Sequence, residues 1–357
     1  MTKLETDEIK GIAITFMLLL HLFNTYNYHD IYTPYLLING TPLTFYISLF
    51  ADNCVVLFLF CSGYGLYASY KKAGSTEWYI KSFTRRLKSL YTKYWIILVL
   101  FCFILGPLLG ESGYPGSWQT ILLNLTAIDT SYNGAWWFFT TYVLCLLLSP
   151  ILFKLIDRYN VTLVILMFFV IYTVGYIQRI KTVLVISNPL LEWLVTEAAL
   201  LANSLLPFVI GAYFIKFNLL SVIKYRLEYS FSRFVINVVM LMNLVFMFIA
   251  KTYVPTLYTA IFTGIGLVVC YLLIDKPKII SSTLAYLGDH SSNIWLTHMF
   301  FYLIFAAFSQ YVYLTSDPIM IFSTLLFMCI SVSYFINFFE RKFQFQRIGS
   351  NQRDSNT

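Results

Sequence analysis

Long apolar runs alternate with short polar connections along most of the 357 residues of the chain. A helix needs about 20 predominantly apolar residues to cross the ~30 Å hydrocarbon layer of a membrane. With polar interruptions allowed, the pattern predicts about ten spans, at 9–27, 43–67, 89–110, 134–156, 161–178, 197–216, 234–250, 257–274, 291–308 and 317–339. The predicted fold class is therefore all-α, a polytopic bundle of transmembrane helices.

Basic residues indicate how such a bundle is oriented. With ten spans, both termini and all but three of the 24 Lys and Arg residues fall on one side; the exceptions are Arg179, Lys181 and Lys251. Because cytoplasmic loops are enriched in Lys and Arg, both termini are predicted to be cytoplasmic, in a multi-pass protein of the cell membrane. The net charge of +7 follows from this orientation. No nucleic-acid partner is expected, since the basic residues form no folded basic domain.

The predicted organisation is one transmembrane domain, 1–340, followed by a short polar cytoplasmic tail, 341–357. A charge-mixed stretch, 3–10, precedes the first apolar run, so no cleavable signal peptide is expected. All six cysteines lie in apolar runs without CxxC spacing. They are interpreted as small core residues, and neither a disulfide framework nor a metal site is expected.

His21 is an ionisable residue within the first apolar run, 9–27. An imidazole in hydrocarbon is costly unless it faces a partner or a polar cavity, so His21 is a predicted catalytic residue. Lys10 precedes it by three helical turns, which places both on one helix face, ~16 Å apart along the axis. This spacing suits a long cofactor with an anionic head at the cytoplasmic face, such as coenzyme A. The alternative for Lys10 is an anchor at the membrane boundary.

Small and polar residues end the second predicted helix. Ser62, Gly63 and Tyr64 form a notch that allows close backbone approach, which suits cofactor binding or, equally, helix packing. Asp52 lies on the same helix, where a carboxylate without a partner is costly. Two interpretations of Asp52 stay open: it orients a catalytic histidine, or it lies at the outer water boundary.

A basic cluster follows this helix on the predicted cytoplasmic side. Arg85, Arg86 and Lys88 offer charge-assisted hydrogen bonds suited to pyrophosphate and phosphate groups. By charge alone they are topological anchors that contact lipid headgroups. Their place in the sequence, after the Ser62 to Tyr64 notch, makes the cofactor-binding interpretation competitive.

A second histidine is predicted inside the bundle near the C-terminal end. Gly288 is predicted to end one helix, and the next helix places His298 about two turns from its start. His298 is therefore a second candidate catalytic residue. His290, in the predicted break, is interpreted as a solvated loop residue.

Six elements of the sequence occur in a characteristic order. They are Lys10-Gly11-Ile12 with His21; 58–64; 85–88; Trp136-Trp137-Phe138 with Ser149-Pro150; Leu206-Pro207-Phe208 with Gly211; and Leu287-Gly288 with His298. No single element is specific, but together they cover nearly the whole chain on a frame of ten helices. In this order they resemble the membrane-bound acyltransferase-3 family.

The resemblance implies roles for several residues. In that family the first-helix histidine is the proposed catalytic residue and a basic residue eleven positions earlier pairs with it, which corresponds to His21 and Lys10. Basic residues after the second helix bind acyl-CoA, which corresponds to Arg85 and Arg86. The family more often has arginine at the positions of Lys10 and Lys88; lysine keeps the charge but not bidentate phosphate recognition. The implied activity is O-acetyl transfer from acetyl-CoA without a metal.

The acceptor implied by the resemblance is a carbohydrate. Compact members O-acetylate capsular or other surface polysaccharides, so the expected partners are a surface or lipid-linked polysaccharide and membrane lipids, at a bacterial plasma membrane. Trp136 and Trp137 would stack on sugar rings, and Glu192 and Glu197 would bind sugar hydroxyls at the outer face. An aromatic belt and solvated carboxylates are the alternatives for these four residues.

Functions of two other classes are less consistent with the sequence. A proton-coupled secondary transporter would use His21, Asp52 and His298 as a proton relay, but the chain has no repeated half and no matched pair of broken helices. A non-enzymatic scaffold would not need ionisable residues in three separate helices. The acyltransferase is therefore the favoured hypothesis.

Overall fold

The structure is a computed structural model that describes residues 1–73 and 76–354, with side chains described for 1–73 and 79–342. Most of the described chain is α-helical: α1 (Lys3–Phe23), α2 (Leu43–Ala51), α3 (Cys54–Ala73), α4 (Thr76–Ile97), α5 (Gly106–Leu108), α6 (Trp118–Thr126), α7 (Trp137–Arg158), α8 (Val161–Lys181), α9 (Pro189–Lys216), α10 (Leu219–Ser230), α11 (Arg233–Tyr253), α12 (Leu257–Leu273), α13 (Lys278–Met299), α14 (Ala306–Val312) and α15 (Pro318–Asp354). Short β1 (Leu37–Ile38) and β2 (Thr41–Pro42) pair antiparallel. The predicted all-α class is confirmed. Of the predicted tail, 341–357, the side chains from 343 onward and the backbone of 355–357 lie outside the described residues.

Within the described residues, seven helices are long and apolar enough to cross a membrane: Leu43–Ala73, Tyr79–Leu108, Gly134–Arg158, Val161–Lys181, Pro189–Lys216, Arg233–Tyr253 and Pro318–Lys342. A pair bent by 92°, Lys278–Ile304 with Ala306–Val312, adds an eighth if it is one span. The two other predicted spans coincide with α1, whose first half is charged, and with the 17-residue α12. The polytopic membrane bundle is confirmed, and the count of ten and the side of the termini stay predictions.

Large apolar side chains cover the outer face of α11. Phe234 is 75% exposed, Met242 66% and Phe246 68%. Such a continuous apolar surface suits contact with hydrocarbon, whereas in water it would drive association. The surface of α11 thus agrees with a lipid-facing helix.

The described chain forms two compact units built from interleaved segments. The first contains 1–26, the described part of 35–79, and 140–289. The second contains 27–34, 80–139 and the described residues from 290 onward. Three helices, α4, α7 and α13, contribute residues to both units.

Helices α3 and α9 form the centre of the first unit. Gly63 of α3 lies against the Phe208 carbonyl of α9, and Gly211 of α9 lies against the Phe60 carbonyl of α3, so closely that a Cβ on either glycine would overlap the oxygen. The reciprocal glycines let the two backbones meet. The core beside them contains Ile9, Ala13, Phe50, Leu57, Phe60, Cys61, Phe214, Leu267 and Val268.

Charged residues fix the connection that follows α12 in the same unit. Arg233, at the start of α11, donates hydrogen bonds to the two carboxylate oxygens of Asp275 at 2.8 and 2.5 Å, and Asn237 donates another at 3.0 Å. The hydrogen bonds from Arg233 lower the pKa of Asp275 to about 2. This end of α12 is therefore tied to α11.

In the second unit, two tryptophans join the segment before α7 to α13. The Trp136 indole Nε1 donates to the Leu296 carbonyl at 2.9 Å, and the Trp295 Nε1 donates to the Ala135 carbonyl at 3.1 Å. Two π-helical segments, Leu98–Leu105 and Phe300–Ile304, belong to the same unit. Their phenylalanines 101 and 300 stack with ring centroids 4.5 Å apart. Aromatic packing therefore forms the core of this unit.

Candidate active site

His21 lies in the last turn of α1, because the helix ends at Phe23 and does not continue to 27. The backbone N–H of Asn24 donates to the Leu20 carbonyl and closes the helix. Polar residues follow, and their side chains compete for backbone hydrogen bonds and favour a helix end. The His21 side chain is exposed, whereas Leu22 beside it is buried. Part of His21 therefore lies at the surface, at one end of the helix.

Lys10 lies on the same helix as His21, as predicted, ~16 Å away along the axis. Its Nζ pairs with the Asp7 Oδ1 atom one turn earlier, at 3.1 Å. An ammonium group has three donors, so this pair leaves capacity for an anionic ligand. The Lys10 side chain is half-buried, with 36% of its surface exposed.

Asp52 lies at the break between α2 and α3 and is paired with a lysine. The Lys251 Nζ lies 2.7 Å from the Asp52 Oδ2, and it also donates to the Thr256 carbonyl at 2.6 Å and to the Thr259 hydroxyl at 3.2 Å. The Lys251 side chain has no exposed surface. The sequence predicts Lys251 only as a residue of a connection on the outer side. The cost of an unpaired Asp52 carboxylate was the signal that a basic partner had to lie nearby.

The position of Asp52 along α3 bears on its two interpretations. α3 has 20 residues, which is ~30 Å of helix. Asp52 precedes its first residue, and Lys71 and Lys72 lie in its last turn. Because the lysine-bearing end is the predicted cytoplasmic end, this geometry favours the outer boundary for Asp52. A role of Asp52 toward a histidine stays a prediction.

The predicted notch of Ser62, Gly63 and Tyr64 makes packing contacts. Gly63 is covered by the Phe208 carbonyl, and the Ser62 hydroxyl donates to the Phe58 carbonyl of its own helix at 2.8 Å. The N-terminal ammonium of Met1 donates to the Tyr64 hydroxyl. These contacts favour helix packing at Gly63, and the cofactor-binding role of the three residues is untested.

The predicted basic cluster lies within α4, which begins well before the predicted span at 89. Arg85 and Lys88 are exposed and Arg86 is half-buried. Because Arg85 and Lys88 are three residues apart on a helix, they present two positive charges on one face. One turn later the Lys93 Nζ pairs with Glu340 of α15 at 3.6 Å, which fixes this helix within the second unit. The exposed face retains donors suited to phosphate.

His298 and Trp136 both belong to the buried interior of the second unit. Neither has exposed surface. The His298 Nδ1 lies 2.7 Å from the Trp295 carbonyl, and its ring stacks on Tyr302 with centroids 5.9 Å apart. A carbonyl only accepts, so Nδ1 carries the proton of that hydrogen bond. The burial of Trp136 favours packing over sugar stacking for this residue.

The other predicted acceptor-binding residues lie nearer to the surface. Trp137 is half-buried and packs edge-on against Phe138, with ring centroids 5.6 Å apart. Glu192 is exposed in the first turn of α9, and Glu197 is half-buried on the same helix. The Glu197 Oε2 atom is buried and accepts no hydrogen bond from the residues that the structure describes. Glu197 therefore has an unpaired acceptor inside the protein, which is costly.

The predicted break at Gly288 is wrong, since α13 is continuous from Lys278 to Met299. Gly288 instead lies against the Asp7 carbonyl of α1, and its missing side chain permits that contact. The interpretation of His290 as a loop residue is also wrong: it is buried, and its Nδ1 lies 2.7 Å from the Ser333 hydroxyl of α15. Asn293 donates to the same hydroxyl at 2.8 Å. His290 and Asn293 are three residues apart, which places both on one face of a helix. This spacing was the signal in the sequence that His290 belongs to a helix.

The six cysteines are all buried and free. This confirms their interpretation as small core residues. In the described ranges, no three His, Cys, Asp or Glu side chains form a group that could hold a metal ion.

One known protein family matches most of the chain. A family model described as an acyltransferase domain matches residues 5–338, a range that includes α1 from its third residue onward, the basic face of α4 and α13. No curated protein and no solved structure matches the chain. Together with the apolar helices, the match identifies a multi-pass membrane acyltransferase. The chain belongs to the acyltransferase-3 family.

Proposed function

We propose that this acyltransferase transfers an acetyl group from cytoplasmic acetyl-CoA to a hydroxyl of an extracytoplasmic or lipid-linked polysaccharide, at a bacterial plasma membrane. The observation that carries the proposal is the position of His21, exposed in the last turn of α1 and ~16 Å beyond Lys10 on the same helix. One helix thus carries a cation suited to phosphate toward one end and a proton acceptor at the other.

Basic side chains support a donor with phosphate groups. Lys10 retains donors after pairing with Asp7, and Arg85 and Lys88 share an exposed face of α4. Each is suited to charge-assisted hydrogen bonds with a pyrophosphate or a 3′-phosphate. With a phosphate held at Lys10, the slender arm of coenzyme A would extend along α1 toward His21.

His21 is assigned as the general base. Neutral imidazole removes the proton from the acceptor hydroxyl while that oxygen attacks the thioester carbonyl carbon. The carbon–sulfur bond breaks, the sulfur leaves as a thiolate that takes up a proton, and the products are an acetyl ester and free coenzyme A. Accessibility of the His21 side chain is the structural requirement for this step, because the base must reach the hydroxyl directly.

Two residues of α9 support a hydroxyl-rich acceptor. The buried Glu197 Oε2 has no donor in the described chain, and Glu192 is exposed one and a half turns earlier. Carboxylate oxygens accept hydrogen bonds from sugar hydroxyls. Trp137, in the second unit, is half-buried, and an indole ring is suited to stacking on a sugar.

The test compares His21→Gln with His29→Gln in cells that make a surface polysaccharide. His29 is an exposed histidine beyond α1 and serves as the matched control. Mass analysis of the purified polysaccharide before and after mild alkali measures ester-linked acetyl groups. We expect His21→Gln to reduce their rate of formation by ~10²–10⁴-fold, which is the usual contribution of a general base. Full ester formation by correctly inserted His21→Gln protein would contradict the proposal.

A further inference from the structure

Glu8 is a buried carboxylate in the charge-mixed stretch at the start of α1. Only 2% of its side chain is exposed. The Ser281 hydroxyl donates to Oε1, the Tyr271 hydroxyl donates to Oε2 at 3.0 Å, and the Lys276 Nζ lies 3.4 Å from Oε2. The same ammonium lies 4.1 Å from the centre of the Tyr271 ring. Both carboxylate oxygens are therefore occupied by groups from α12, α13 and the connection between them.

Backbone contacts surround Glu8 on both sides. A Cβ on Gly11 of α1 would overlap the Leu284 carbonyl of α13, and a Cβ on Gly288 of α13 would overlap the Asp7 carbonyl of α1. The two helices therefore touch backbone to backbone over the turn that contains Glu8. Contacts of this kind let the helices approach closely, and the hydrogen bonds of Glu8 add directional contacts at the same turn.

We propose that Glu8 is a positioning residue for acyl transfer, which fixes the rotation and depth of α1 and thereby places Lys10 and His21. The inference rests on the proposed function of His21. A helix moves as a rod, so a rotation at Glu8 is transmitted to His21, ~20 Å further along the axis. A displacement of about 1 Å at the reacting group can cost ~10²-fold in rate.

The first test measures the position of α1 by a method that does not depend on enzyme activity. Cysteine is introduced at Lys10 or at His21, with either Glu8 or Ala at position 8, and the rate of modification by a water-soluble methanethiosulfonate is measured. The six native cysteines are buried and give a low background. We expect Glu8→Ala to change the rates at both positions. A change at His21→Cys alone would also support the inference, because a tilt about Glu8 moves the far end of the helix most. A change at Lys10→Cys alone, or at neither position, would overturn it, because the disturbance would then be local to residue 8 and would not reach His21.

The second test measures transfer from acetyl-CoA by purified Glu8→Gln and Glu8→Ala, with Glu5→Gln as the control on the same helix. Glu5 accepts from the backbone of Thr2, and in the described chain it forms no hydrogen bond or ion pair with α12 or α13. We expect kcat to fall ~10²-fold in Glu8→Ala, with a smaller change in KM for acetyl-CoA. A purely structural role would lower the yield of folded protein and leave kcat per folded molecule unchanged.

A double variant keeps this test informative if Glu8→Ala fails to fold. Glu8→Gln/Lys276→Gln removes both charges and leaves no unpaired ammonium, so part of the kcat lost in Glu8→Gln is expected to return. Equal kcat in all Glu8 and Glu5 variants would overturn the inference. If the unaltered protein shows no transfer at all, the proposed function fails, and the labelling rates still decide the role of Glu8.

Discussion

Two carboxylates inside the first unit are each paired with a lysine from a distant part of the sequence. Asp52, before α3, meets Lys251 near the end of α11, and Glu8, on α1, meets Lys276 after α12. In a low-dielectric interior, removal of one partner leaves the other charge uncompensated. Each pair therefore joins helices that hydrophobic packing alone would hold less specifically.

Replacing Lys251 tests the first of these pairs. We expect Lys251→Met to lower the free energy of unfolding by about 3–5 kcal/mol, because the Asp52 carboxylate is left without its partner. Thermal melting of the detergent-solubilised protein measures the loss. Lys181→Met is the control, since Lys181 is an exposed lysine of the same predicted side.

The double variant Asp52→Asn/Lys251→Met separates an ion pair from two independent effects. It leaves no buried charge, so we expect a smaller loss than the sum of the two single variants. Additive losses would show that the pair contributes no coupling energy. The same conclusion would follow if Lys251→Met and the Lys181→Met control had the same melting temperature.

Local patterns were sufficient to place Lys10 and His21 on one helix, because their spacing depends only on helical periodicity. They were not sufficient to find Lys251 or Ser333, the partners of Asp52 and His290. Those partners are far away in sequence, and only the packing of whole helices brings them together. Site residues that depend on one helix were therefore predictable, whereas those that depend on pairs of helices were not.

At the scale of the helix, the role of a glycine depends on the surface that it faces. Gly63 and Gly65 are two residues apart on α3, yet only Gly63 meets another backbone, that of Phe208 on α9. Gly288 shows the same effect on α13, where sequence reasoning expected a helix end. The sequence shows where the glycines are, but it does not show whether the helix ends at a glycine or contacts another backbone there.

Alanine at these two positions of α3 separates packing from flexibility. We expect Gly63→Ala to destabilise the protein by about 1–3 kcal/mol, since the new Cβ forces α9 away. Gly65→Ala has open space around it and is expected to be neutral or stabilising by up to about 1 kcal/mol, because alanine favours the helix. Thermal melting compares the two variants. Equal melting temperatures would contradict the backbone contact between α3 and α9.

At the scale of the described molecule, the apolar runs located the long apolar helices but not their ends, and they did not predict α6 or α10. Each predicted span corresponds to a helix or a bent helical pair, whereas α1 ends four residues before its run does. Hydropathy reports which residues tolerate hydrocarbon, and the polar sequence after Phe23 sets the helix end. The division into two interleaved units had no counterpart in the sequence, since it arises from tertiary contacts alone.

The number of crossings is tested by the side from which three exposed lysine positions are labelled. Five predicted spans separate Lys3 from Lys181, and three separate Lys181 from Lys278. Cysteine at Lys181 should therefore react with a membrane-impermeant maleimide in intact cells, whereas cysteine at Lys3 or Lys278 should react only after permeabilisation. If α12 does not cross, Lys278→Cys reacts from outside with Lys181→Cys, and if α1 does not cross, Lys3→Cys does so. Either outcome would move His21, or the residues of α12 and α13 that contact Glu8, to a different face of the membrane, and the proposed path of the acyl group would change with it.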